Sequence, residues 1–181
     1  YGVDVGNLET ALVRALREKG MVLAAAESCT GGLVSKRITD VPGASAVFNC
    51  GLVTYTNSQK ERLLRVSPQT LETHSAVSAE TAQEMAEGCR LVSGADIAVA
   101  TTGNAGPEPS EGKPVGLVYV AVASAWHHET VTLRLDRRDD DLRSYIRELA
   151  SSHALHLALK TVRLRPEDPE TRSRVGQLPR P

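Results

Sequence analysis

An α/β layered fold with a mixed sheet is predicted for this 181-residue chain. Strand-like apolar runs alternate with helical stretches through the first part of the sequence, as layered α/β proteins require. The last two strand-like runs instead follow one another as a hairpin, which adds antiparallel pairing to the sheet. The chain is also long enough to build an ordinary core as one domain.

Taken in order, Asn7 caps a first helix to about Lys19, with Leu8, Leu12, Val13 and Leu16 on one face and Gly20 as its stop. A strand follows over 21–26. The turn Ala26-Glu27-Ser28-Cys29-Thr30-Gly31-Gly32 then leads into a helix over about 30–39, with Thr30 as its expected cap. Residues 46–56 are rich in strand formers, and Gly51 within them suits a bulge or a close backbone approach. Asn57 is positioned to cap a short helix over 58–64, and Ser67-Pro68 to open another. Ser78 opens a helix to about Val92, with Ala82, Met85, Ala86 and Cys89 inward. A strand over 96–101 runs into a loop from Gly103 to Pro114. Strands over 115–124 and 129–135 form the hairpin, joined near Trp126-His127-His128, and a last helix spans about Asp140 to Arg163. Residues 166–181 hold Pro166, Pro169, Pro179 and Pro181 among charges and read as a disordered tail after a domain over 1–165.

Composition narrows the function. A net charge of −1 and 3% aromatic residues fit neither a polyanion-binding nor a base-stacking surface, so nucleic acid is not an expected partner. Apolar runs fall short of the roughly 18 residues that span a bilayer, so no membrane partner is expected. Cys29, Cys50 and Cys89 are odd in number and widely spaced, which points to a reducing, cytoplasmic setting. Metal-ligand spacing is lacking, and neither a metal nor a cofactor is expected.

Polar loops follow the expected strands at Glu27–Gly32, at Thr54–Lys60 and at Thr101–Pro107. If those strands run the same way, the loops share one pocket at the carboxyl edge of the sheet. A turn into a helix presents unpaired N–H groups to an anion or a developing oxyanion. Ser28 and Cys29 are rival nucleophiles there, and spacing does not choose between them. A serine needs a base, and a lysine serves only when held unprotonated. On local pattern Lys60 reads as a solvated helix charge and Tyr55 as a half-buried strand residue, yet the pair stands beside the same edge. Arg134, Arg137, Arg138 and Arg143 form a basic group suited either to a solvated face or to a phosphate. Asp139-Asp140-Asp141 reads as charge complementing a helix N-terminus.

Taken together, Ala26–Gly32, Thr54-Tyr55-Thr56-Asn57 with Lys60, Ala76-Val77-Ser78, and Thr102–Pro107 with Lys113-Pro114-Val115-Gly116 resemble the CinA C-terminal family, the PncC-type nicotinamide mononucleotide deamidases. The resemblance covers roughly residues 7–162. It implies a three-layer α/β/α sandwich, a tendency to self-associate, and metal-free hydrolysis of nicotinamide mononucleotide to nicotinic acid mononucleotide and ammonia. Carried over by motif, Ser28 is the nucleophile, Lys60 its base and Tyr55 an aid to that base. Glu27, Cys29, Asn57, Thr102, Gly103, Ala105 and Gly106 would contact substrate. The amides of Thr30, Gly31 and Gly32 would hold the oxyanion or substrate, and Arg137 or Arg138 would face the phosphate. Two departures stand out. Asn104 occupies a position that is usually aliphatic, followed by Glu108-Pro109-Ser110. The family's Gly-Asp-Arg segment is replaced by Asp136-Arg137-Arg138-Asp139-Asp140-Asp141-Leu142-Arg143 with shifted spacing. The start at Tyr1-Gly2 resembles the linker behind the molybdopterin-binding-like domain of longer CinA proteins, so a C-terminal piece of such a protein is expected. The alternative to an amidase is a nucleotide-sensing or assembly module that binds without turnover.

Overall fold

Helix α1 (Leu8–Lys19) begins where the Asn7 side chain accepts from the Thr10 amide at 3.1 Å, and it ends at Gly20 in the left-handed region. Its Leu12, Val13 and Leu16 turn inward. The structure is a computed structural model and describes residues 7–135 and 141–166. The further elements are β1 (Leu23–Glu27), α2 (Leu33–Thr39), a 3₁₀ turn at Ala44–Ala46, β2 (Phe48–Val53), α3 (Asn57–Leu64), α4 (Pro68–His74), α5 (Ala79–Ser93), β3 (Ile97–Gly103), β4 (Leu117–Ser124), β5 (His128–Arg134) and α6 (Leu142–Leu164). Arg137, Arg138 and most of the expected tail lie outside the described residues.

The strands form one sheet in the order β2-β1-β3-β4-β5. β1 pairs in parallel with β2 and β3, while β4 and β5 add antiparallel edges, so the sheet is mixed. The alternation of side chains along each strand divides the core into two layers. Leu23, Ala25, Ile97, Val99, Val118, Val120 and Val122 pack with α1, α2 and α6. Ala24, Ala26, Ala98, Ala100, Ala121 and Ala123 face α3, α4 and α5. Alanines on that second face leave room for α5 to lie close, and Gly88 of α5 extends the fit. A Cβ at Gly88 would stand 1.8 Å from the Leu64 carbonyl oxygen. The result is the α/β/α sandwich.

The differences from the sequence reading are local. Helix α2 starts at Leu33 with Gly32 at its cap position, because the Thr30 hydroxyl is engaged with Glu27 and Thr101. Asn57 is the first residue of α3 and does not cap it; Thr56 holds that position. Asp141 does cap α6, accepting from the Ser144 amide. On the far side from α5, Arg37 of α2 meets Glu9 of α1 and donates to Ser151 and Ser152 of α6, each at 2.7 Å, fastening three helices together.

Candidate active site

Because β1, β2 and β3 run in parallel, the loops after them meet at one edge, as topology requires of such sheets. The turn after β1 is held from beneath by Glu27. Parity along β1 sends this side chain toward α2, where it is fully buried. One carboxylate oxygen accepts from the Thr30 hydroxyl at 2.7 Å and from the amides of Gly32 and Val34 at 3.0 Å. The other accepts from the Ser35 amide at 2.8 Å and the Ser35 hydroxyl at 2.6 Å. These are the donors that a helix start leaves unpaired, and an anion is favoured there. Gly51 of β2 makes room for the clamp, since a Cβ there would lie 2.3 Å from Ser35 Oγ. Glu27 therefore braces the turn, and its carboxylate, expected from the motif at the substrate, does not line the pocket.

The next residue projects to the opposite face. Ser28 continues the β1–β3 pairing by donating its amide to the Thr101 carbonyl at 3.0 Å, and the Gly31 amide closes the turn onto the Ser28 carbonyl at 3.1 Å. Gly31 and Gly32 both adopt positive φ, which glycine tolerates best. Lys60 approaches from α3. It is 1% exposed, so the expectation of a solvated helix charge is overturned. Its Nζ lies 3.1 Å from Ser28 Oγ and donates to the Thr54 carbonyl at 2.9 Å. Thr54 is itself fixed, donating its amide to the Glu27 carbonyl at 2.9 Å. Burial lowers the Lys60 pKa below its ordinary value, against smaller opposing influences of Cys29 and Glu111. A neutral amine in this position keeps one donor on Thr54 and offers its lone pair to the Ser28 proton.

Cys29 offers no comparable chemistry. Its thiol is buried, and burial pushes its pKa up to about 12, so it stays protonated and poorly nucleophilic. The backbone around it matters more. The Gly31 and Gly32 amides, expected with that of Thr30 to hold the oxyanion or substrate, donate within the turn to the Ser28 carbonyl and to Glu27. Among the described residues the Thr30 amide meets no acceptor, and the Cys29 amide meets none outside its own residue. Cys29 borders the pocket, whereas Glu27, Thr30, Gly31, Gly32 and Gly106 do not.

That pocket measures about 470 Å³, in the range of small-ligand sites. Asn57, Thr102, Gly103 and Ala105 line it. The Thr102 hydroxyl donates to the Ala76 carbonyl at 2.7 Å, joining β3 to the segment before α5. Asn104 departs from the family pattern, yet its side chain staples its own loop. It donates to the carbonyls of Glu108 and Lys113 at 3.0 and 3.2 Å, and accepts from the Gly106 amide at 2.9 Å. Tyr55 is 60% exposed, and its hydroxyl accepts from Arg143 at 3.3 Å. It stands at the rim and makes no bond to Lys60 among the described residues, so a relay through it is not needed for the direct Ser28–Lys60 contact. Arg143 also donates to the Gly106 carbonyl and lines the pocket from the first turn of α6. The basic group seen in the sequence thus supplies this arginine. Glu111 is not among the residues the sequence points to, because nothing in its local spacing reveals that its loop lines the same pocket as Ser28.

The CinA C-terminal domain model matches residues 6–162. A CinA-like protein of Desulfovibrio desulfuricans is 50% identical over 160 residues, 87% of this chain and 37% of that protein. Another of Geobacter sulfurreducens is 58% identical over 118 residues, 65% of this chain and 29% of that protein. The chain therefore spans well under half the length of these curated relatives. A solved CinA superfamily protein of Klebsiella pneumoniae shares 34% identity with a TM-score of 0.80, over 86% of this chain and 96% of that one. By the extent of the family match and the shared fold, the chain belongs to the CinA C-terminal domain family.

Proposed function

We propose that this chain is a metal-free amidohydrolase that deamidates nicotinamide mononucleotide to nicotinic acid mononucleotide and ammonia, with Ser28 as nucleophile and Lys60 as its base. The observation that carries the reading is the buried Lys60 amine 3.1 Å from Ser28 Oγ, with its pKa lowered by burial. A lysine is costly to bury, and a module that only binds a nucleotide has no use for one placed against a serine.

In this mechanism Ser28 Oγ attacks the carboxamide carbon while Lys60 takes the hydroxyl proton. The developing oxyanion is met by the Cys29 amide beside the nucleophile. Collapse of the tetrahedral intermediate breaks the C–N bond, and the Lys60 ammonium returns the proton to the departing nitrogen as ammonia. Lys60, neutral again, deprotonates a water that attacks the acyl ester. A second collapse then frees the carboxylic acid and restores the Ser28 hydroxyl. The Arg143 guanidinium faces the same pocket and is suited to a bidentate grip on the substrate phosphate. Further parts of this reading are a cytoplasmic setting and self-association. Among the described residues, no helix is long and apolar enough to cross a membrane.

The test is ammonia release from nicotinamide mononucleotide by the chain. Saturable turnover is expected. Saturable binding without ammonia release would refute the amidase and favour a sensing module.

A further inference from the structure

Glu111 is the one carboxylate lining the pocket among the described residues. It sits in a two-residue turn closed by reciprocal backbone bonds between Ser110 and Lys113, at 3.2 and 2.8 Å. Both turn residues, Glu111 and Gly112, have positive φ, as a type I′ turn requires. Glycine, asparagine and aspartate are the usual occupants of such positions, so a glutamate at φ 52° is an unusual choice for the backbone alone. Its side chain turns to the Ala76 amide, which donates to Oε2 at 3.1 Å. Ala76 is in turn held through its carbonyl by Thr102, so the carboxylate is anchored to the wall beside β3. Oε1 has no protein partner among the described residues, and no ion pair there joins Glu111 to Arg143. The carboxylate lines the same pocket as Ser28 and Lys60.

The pocket thus presents an uncompensated anion on one wall and the Arg143 cation on another. Such a surface complements a ligand carrying both signs of charge. We propose that Glu111 is a specificity-determining residue that favours a substrate whose carboxamide-bearing ring is cationic over the same ring in its neutral, reduced form. The inference rests on the Ser28–Lys60 amidase reading, and it adds the charge state of the ring to the substrate class. Glu111 borders solvent, so the preference is modest, of the size of a single partly screened charge contact.

The experiment measures binding by titration calorimetry in Ser28→Ala protein, where turnover does not interfere. The probes are nicotinamide mononucleotide and its dihydropyridine form, each with Glu111 and with Glu111→Gln. We expect the oxidised form to bind about fivefold tighter at low salt. With Glu111→Gln the two ligands should come within about 1.5-fold, by weakening of the oxidised form alone. The difference in ring shape is common to both proteins and cancels in the ratio of ratios. A second measurement needs no change at Glu111: raising the salt should shrink the preference in the Ser28→Ala protein. A preference unchanged by both Glu111→Gln and salt overturns the inference. Ammonia release by the parent is assayed alongside. Turnover with an unchanged preference defeats only the Glu111 assignment, whereas charge selection without turnover defeats only the amidase.

Discussion

Replacing Glu27 by glutamine tests whether the nucleophile is held by a buried carboxylate. The substitution keeps shape and volume and removes one acceptor oxygen. With the amide carbonyl toward Thr30, Gly32 and Val34, the new NH₂ faces the Ser35 amide, which then has no acceptor. Ser35 Oγ can rotate to accept instead. An orphaned buried donor costs about 1–3 kcal/mol, and the bonds that remain lose their charge assistance. These losses are not additive, and we expect about 3 kcal/mol in total. For a chain of this size that is a fall in Tm of roughly 6–12 °C, read by calorimetry. Because the same bonds orient the turn that carries Ser28, kcat for ammonia release should fall by about ten- to a hundredfold, with KM changed less than about threefold. A Tm within about 1 °C of the parent, or an unchanged kcat, would refute the bracing role.

Other consequences follow from the same geometry. Iodoacetamide under native conditions should leave turnover intact, because the Cys29 thiol is buried with its pKa pushed up to about 12; inactivation with adduct at Cys29 would contradict this. Lys60→Met should abolish turnover yet raise Tm by about 2–4 °C at neutral pH, since it removes a buried amine. The folded-state pKa of Lys60 lies below its ordinary 10.5, so between the two values the unfolded chain holds a proton that the folded one lacks. Parental stability therefore rises with pH across that window, and the advantage of Lys60→Met should narrow toward alkaline pH. An advantage that widened would show the amine to be charged in the fold. Gly88→Ala should cost about 3 kcal/mol or more, because its Cβ would collide with the Leu64 carbonyl; a denaturation midpoint close to the parent's would contradict the close α5 packing.

Much of this architecture is written in local pattern. The caps at Asn7, Ser78 and Asp141 and the stop at Gly20 lie where residue chemistry puts them. The turn at 27–32 was recognisable because an apolar strand running into paired glycines has few alternatives. What stayed hidden depends on partners distant in sequence. Lys60 stands in the polar stretch Asn-Ser-Gln-Lys-Glu-Arg, which looks solvated until α3 is laid against the strand ends. Glu27 looked like a ligand contact, although parity with Leu23 and Ala25 already sent it toward α2. Tyr55 reads as a half-buried strand residue, but β2 is an edge strand that ends at Val53, and Tyr55 beyond it is exposed. Glu111 needed the whole loop from Asn104 to Gly116 to be folded before its carboxylate met Ala76.

The central claim is that a neutral, buried Lys60 activates Ser28, and the pH dependence of kcat/KM for ammonia release tests it most directly. Measured beside Ser28→Ala and Lys60→Ala, the parent rate should climb with pH as Lys60 loses its proton. It should level off below the ordinary lysine range, because burial lowers that pKa. Both variants should lose at least about a thousandfold, and the rising limb should vanish in Lys60→Ala. A limb that survives in Lys60→Ala, or turnover retained by Ser28→Ala, would contradict the account.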